Sequence, residues 1–461
     1  MSVKEARRNQ AIAEVDRLIH DFTQWKELKQ DQKVAQSGDP RRQYDSQLEA
    51  LGSEVLGAAG LLRCHLVDAV PLDGATGEVY AECARTEDEL LWLWRVWGYF
   101  REKYDQRQDD RFAAVLLAAD EVVWSCYRPF FRTLVSGRVP EPAPLPYIET
   151  DFAPSALRRS QNEVLARRGP DFTLLLGAFR QLPVSILKIP ITAVSNPWSL
   201  VLIGHETGHI VQSAVAPKFV ETFAASIAAA VPQEDSDYWS DWSPEIFADW
   251  YGVATMGQWA LWALAQYEQA DRTTLVERRS KYPAALVRLE LVRQLADRYG
   301  LPAADPLRDL GMSLATVEGD PAELIRDMKT VPAVVNAIVN LPELKALVTP
   351  LQFDKARYAK GGEVQQWSEH FTAQQALPPN KNVRSARMAA AGLAHAWNRK
   401  VIVPDIAPDG EEIRALRDCG LGAIAAAAEP SVRAAVDTPR TGRAPGVTLL
   451  DFLRAADVSR R

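Results

Sequence analysis

His205-Glu206-Thr207-Gly208-His209 spells HExxH. On an α-helix, residues four apart share a face, so His205 and His209 can close on a single ion. Neutral imidazole takes Zn2+ at about 2.0–2.1 Å. Glu206 follows the first histidine directly and is placed to meet a water on the ion instead of the ion itself. Metal-dependent hydrolysis works by activating such a water. Leu200 to Ile203 before the motif, and Ile210 and Val211 after it, are apolar. The motif therefore belongs to a buried helix, where a charge such as Glu206 needs a partner. The bland alternative is a pair of core histidines beside a solvated glutamate. Gly208 is costly in a helix interior; close approach of another backbone or of substrate gives a reason for it. Asn196 is a candidate cap for this helix, Pro197 suits its first turn and Pro217 its end.

Zinc needs a third protein ligand. His20, His65, His370 and His395 have no motif around them, and no HExxHxxGxxH follows, because His209 is trailed by Ile210-Val211-Gln212-Ser213-Ala214-Val215. A carboxylate is the better candidate. Ser243-Pro244-Glu245-Ile246-Phe247-Ala248-Asp249-Trp250 reads as a helix start, with Ser243 as cap and Pro244 in the first turn. Glu245 and Asp249 then share one face of an otherwise apolar helix. Glu245 as ligand, with Asp249 accepting from a ligand histidine, accounts for both acids. Alone, Glu245 would read as a first-turn acid favoured by the helix dipole.

HExxH followed on a later helix by ExxxD resembles the gluzincin metallopeptidases, the thermolysin-like superfamily, over roughly residues 180 to 290. The resemblance implies that His205, His209 and Glu245 bind one Zn2+, that Glu206 is the general base and that Asp249 orients a ligand histidine. It implies a peptide or protein substrate. Some members carry a histidine-proline element and an arginine after the second helix. Here Lys281-Tyr282-Pro283 and Arg288 stand in that region, so Tyr282 and Arg288 are candidate donors to the oxyanion of a tetrahedral intermediate. Tyrosine in place of histidine leaves that role open against a packed tyrosine and a surface arginine.

Upstream, Val184-Ser185-Ile186-Leu187-Lys188-Ile189-Pro190-Ile191-Thr192 is the best strand candidate. Its proline points to a sheet edge. An edge strand beside the motif helix would take an extended substrate by strand addition, with Ile186, Lys188 and Ile189 as binding residues. Before it, 137–155 is rich in proline and reads as a strap or linker. Residues 1–136 read as a helical region, in which Thr86-Glu87-Asp88-Glu89 resembles a capping box ahead of Leu90, Leu93, Trp94 and Trp97 at helical spacing. Trp92, Trp94 and Trp97 could form a binding platform, but are expected to pack in the interior or between domains. The expected plan is a zincin-like core at 156–300 and a mostly helical 301–461 with a looser tail. The fold class is α+β, dominated by helices, with a small sheet against the motif helix. The flanking helices are expected to restrict access to the cleft.

Composition adds exclusions. The chain has 461 residues, 47% hydrophobic and 25% charged, which suits a globular protein with a sizeable core. Its net charge of −7 gives no sign of nucleic-acid binding. The charged start Met1-Ser2-Val3-Lys4-Glu5-Ala6-Arg7-Arg8 lacks an apolar segment, which argues against a secretory signal. The apolar runs near 219–231 and 252–267 are shorter than the ~20 residues of a membrane span. Cys64, Cys83, Cys126 and Cys419 are scattered and read as thiols in a reducing cytosol. The function expected is zinc-dependent peptide-bond hydrolysis in the cytoplasm. Two other readings are a non-catalytic, zinc-stabilised interaction protein and a zinc hydrolase of a non-peptide amide.

Overall fold

A computed structural model describes residues 1–37, 45–70, 72–134, 142–149, 155–157, 182, 184–301, 313–348, 355–374, 385–402, 409–427 and 445–458. Among these, helices predominate and one small sheet is present. Residues 137–141 and 150–154 of the proline-rich connection, and 403–408, 428–444 and 459–461 of the tail, lie outside the described residues; the rest of the tail forms two helices.

The first three helices, α1 (Val3–Ser37), α2 (Asp45–Cys64) and α3 (Thr76–Asp105), pack on one another. Their apolar faces supply Val15, Leu18, Phe22, Leu51, Val55, Trp97 and Phe100 to a common core. Trp97 is buried, with the rings of Phe22 and Trp94 at 5.6 and 5.0 Å, so this tryptophan packs as expected. The capping box expected at Thr86–Glu89 does not start a helix. α3 runs through it unbroken, and the Thr86 hydroxyl donates to the Glu82 carbonyl at 3.0 Å. Half of such a box forms earlier, where the Ala75 N–H donates to the Glu78 carboxylate at 3.2 Å and Ala75 has no side-chain acceptor to return the bond. The segment Gln47–Ala69 is long and apolar enough to cross a membrane by length and composition. Here it lies against α1 and α3, with Leu48, Leu51, Val55 and Leu62 inside protein.

The sheet joins β1 (Leu145–Glu149), β2 (Ser155–Leu157) and β3 (Ile186–Pro190) in the order β1-β3-β2. β1 runs parallel to β3, with Leu145 opposite Ile186 and Glu149 opposite Pro190. β2 is antiparallel, with Ser155 opposite Lys188. The edge-strand expectation is thus corrected: β3 is the middle strand, and a partner lies along both of its sides. Pro190 closes the strand at its last position, where a missing N–H costs least. Successive side chains of β1 and β3 point to opposite faces. Leu145, Tyr147 and Ile186 enter the amino-terminal core, whereas Ile148, Leu187 and Ile189 enter a second, larger one. The sheet is the wall between them.

The second core contains α4 (Asp110–Leu134), which carries Val115, Leu116, Val122 and Phe130 into it. It continues through α5 (Ile203–Val211), α6 (Phe219–Ala228), α7 (Ser243–Met256), α8 (Gln258–Glu268) and α9 (Ala285–Arg298). The later helices α10 (Ala322–Asn340), α11 (Glu363–Ala373), α12 (Ala386–Trp397) and α13 (Gly410–Ala426) close around the same core. Tyr358 donates to the Thr255 carbonyl at 3.1 Å, and Trp262 to Asn398 at 2.9 Å. Among the described residues α4, which composition groups with 1–136, thus packs in the motif core, and the helices α10 to α13 join the same core. The last helix, α14 (Val447–Val458), returns to the amino-terminal bundle through Leu449, Leu450 and Leu453. Its Arg454 pairs with Glu89 at 2.9 Å.

Candidate metal centre

The motif helix is approached through a six-residue 3-10 turn, Pro197–Leu202, so Pro197 opens that turn and Asn196 gives no side-chain cap to α5. Likewise α7 begins at Ser243 itself, with Pro244 in its first turn. The two helices touch backbone to backbone. A Cβ on Gly208 would stand 2.9 Å from Ala248 Cα and 2.8 Å from Tyr251 Cβ, and one on Gly204 would stand 2.6 Å from Thr255 Oγ1. Close approach of another backbone is thus the reason for Gly208. Only glycine permits this crossing, and the crossing brings Glu245 and Asp249 up to the two histidines.

His205 Nε2 and His209 Nε2 lie 3.3 and 3.2 Å from the same oxygen, Glu245 Oε2. Bonds of about 2.0–2.1 Å at tetrahedral angles would hold ligand atoms roughly 3.3–3.4 Å apart. His205, His209 and Glu245 can each offer one ligand atom, all within 4.8 Å of one another. These distances suit a three-ligand zinc site. Asp249 fixes the first imidazole. Its Oδ1 accepts from His205 Nδ1 at 2.8 Å, which turns Nε2 toward Glu245. A carboxylate on the outer nitrogen of a ligand histidine is the usual way such a ring is oriented.

The electrostatics follow from burial and charge. Burial pulls the His205 pKa down, but the Asp249 charge and hydrogen bond outweigh it, and the group is raised to about 10. Burial favours neutral Glu245, yet His209 and His205 hold its pKa well below the ordinary range. For Asp249 burial is likewise overcome, here by Arg288 and His205. Glu206 differs. Burial pushes its pKa up to about 7, with His205 opposing and Glu245 reinforcing the rise. Its Oε2 is buried and has no hydrogen-bond partner among the described residues. A buried carboxylate with one unpartnered oxygen, coupled to His205 and Glu245, can accept a proton near neutral pH.

Arg288 is not a surface arginine. It is buried, and its Nε and Nη2 donate to the two oxygens of Asp249 at 2.7 and 2.8 Å. Its Nη1 donates to Glu268 Oε1 at 3.0 Å. This geometry assigns it to holding Asp249, not to the oxyanion role expected from the sequence. The Tyr282 ring has the Arg279 and Arg288 guanidiniums at 5.2 and 5.3 Å. Burial raises the Tyr282 pKa, with Glu245 adding to the rise, so the phenol keeps its proton. Ile186 and Ile189 are core residues of the middle strand. Their expected role in strand addition fails because both sides of β3 are already paired. Lys188 is half-buried, and its charge favours ionised Glu206.

Glu268 and Arg279 were not found by sequence reasoning. A signal existed: Glu268 closes α8, and an acid in a last turn is disfavoured by the helix dipole unless a cation meets it. Compared with known proteins, the chain matches no family model, no curated protein and no solved structure.

Proposed function

We propose that the chain is a zinc-dependent metallopeptidase of gluzincin type, with a zincin-like core formed by α5, α7 and the sheet. The observation that carries this reading is the meeting of His205 Nε2, His209 Nε2 and Glu245 Oε2, with Glu206 adjacent to His205 in sequence, coupled electrostatically to His205 and Glu245, and leaving its buried Oε2 unpartnered among the described residues. His205, His209 and Glu245 would hold the ion. Bound there, Zn2+ supplies a Lewis acid and lowers the pKa of a water toward ~7. Glu206 accepts the proton of the attacking water and delivers it to the leaving amine. Asp249 keeps His205 in the ligating tautomer. Tyr282, a neutral phenol near Glu245 and Glu206, is the candidate donor to the developing oxyanion. A purely structural zinc site tends to fill all four positions with protein ligands and has no use for a base. The idle Glu206 oxygen supports the catalytic reading over that one.

The test is metal content and hydrolysis of peptide and denatured-protein libraries by wild type and Glu206→Gln. The variant should keep its zinc and lose at least ~100-fold in turnover. Equal turnover in both, or zinc-loaded wild type inert toward every peptide, sinks the proposal.

A further inference from the structure

Behind the ligand histidine lies a second buried carboxylate that the proposed chemistry does not use. Glu268 is 8% exposed. Its Oε1 accepts from Arg288 Nη1 at 3.0 Å and from Arg279 Nη2 at 3.2 Å, and its Oε2 accepts from Arg279 Nη2 at 3.1 Å. Arg288 is therefore gripped at opposite edges: Asp249 takes Nε and Nη2, and Glu268 takes Nη1. A fork on Asp249 alone would neutralise that carboxylate and satisfy two of the three nitrogens. The Glu268 charge is already met by Arg279, so its further bond to Arg288 calls for an explanation.

Distances supply one. Arg288 Nη2 stands 3.9 Å from Glu245 Oε2, the oxygen that faces both histidines. That is just beyond hydrogen-bond reach. A guanidinium shift of about 1 Å would turn this approach into a direct bond. Arg288 would then occupy a lone pair that the ion needs and set a cation against it. The pull of Glu268 on Nη1 holds the guanidinium back.

We infer that Glu268 is a positioning residue for the metal centre: by anchoring Arg288 it keeps that cation on Asp249 and off the ligand Glu245. The inference rests on the proposed zinc site. Arg279 serves the same anchor from its other side. It shares Oε1 with Arg288 and holds Oε2, so the Glu268 carboxylate cannot rotate away.

The experiment measures zinc affinity by competition with a chelator, and the visible spectrum of the Co2+-substituted protein, for wild type, Glu268→Ala, Glu268→Gln and Glu268→Asp. The alanine variant should bind zinc about 10–100-fold more weakly, the range for loss of an outer-shell partner. Its Co2+ bands should shift, because Glu245 is no longer free to ligate as before. The glutamine variant keeps an acceptor at the same reach and should recover most of the affinity. The aspartate variant, too short to hold Nη1, should behave like alanine, and it is the decisive variant if alanine does not fold. Wild-type affinity and spectrum in the folded alanine or aspartate variant overturn the inference. So does a glutamine variant as weak as alanine, since the effect would then be charge and not anchoring. Wild type that takes up no zinc sinks the proposed function as well, which separates the two failures.

Discussion

At the scale of single residues, the candidate ligands were legible because their chemistry is tied to spacing. His205 and His209 declare themselves by a helical repeat, and Glu245 and Asp249 by two acids on one apolar face. Arg288 was visible as a residue but not in its role, because its partners Asp249 and Glu268 come from two other helices. Charge burial makes this arginine the most sensitive position. Arg288→Ala would leave Asp249 and Glu268 buried without their shared cation, and about 3–5 kcal/mol of stability should be lost in denaturant unfolding. Tyr282→Phe should keep zinc and lower turnover by about 100-fold with little change in KM; equal turnover would remove the phenol from the mechanism. The pH dependence of metal uptake has a definite sign. The His205 pKa is raised from 6.5 to about 10 in the metal-free protein. The stabilising contact of the imidazolium with its carboxylates is fully present below 6.5 and is lost as pH rises through 10. Zinc must displace that proton. Its affinity should climb with pH across this window, with proton release seen on titrating in the ion.

At the scale of elements, helices were easier to read than their neighbours. The motif helix and the acidic helix are where periodicity put them. The strand at 186–190 is also present, but its place in the sheet was misread. A proline in a strand says that one N–H is missing, and it does not say which strands lie alongside. The parallel partner β1 comes from a proline-rich stretch that local propensity marks as a strap. The capping-box pattern at Thr86 failed for a similar reason: it lies inside a helix whose true start is ten residues earlier. The crossing of α5 and α7 makes the firmest prediction at this scale. Gly208→Ala places a methyl group against Ala248 and Tyr251. The helices must part, costing about 1–3 kcal/mol and moving Glu245 and Asp249 away from the histidines. Thermal unfolding and zinc content should fall together; a variant with normal zinc affinity would show that the crossing does not set the ligand spacing.

At the scale of the whole molecule, packing crosses the boundaries that composition suggests. α4 belongs with the motif core, where Tyr251 of α7 donates to its Cys126 carbonyl at 2.8 Å, and the last helix belongs with the first three. Neither pairing could be read from a linear pattern, because both join segments far apart in sequence. Removing residues 445–461 should therefore weaken the amino-terminal bundle, by on the order of 5 kcal/mol for the buried leucines of α14, as read by denaturant unfolding. The small sheet has a wider consequence. Since β1 and β3 give one face to each core, neither core can melt and leave the wall intact for the other. Calorimetry should show one transition, and saturating zinc should raise the melting temperature of the entire molecule. With zinc bound at the proposed site, ion occupancy and the folding of the amino-terminal helices would then be thermodynamically linked: loosening those helices would loosen the grip on the ion, and an occupied site would brace helices that never touch it.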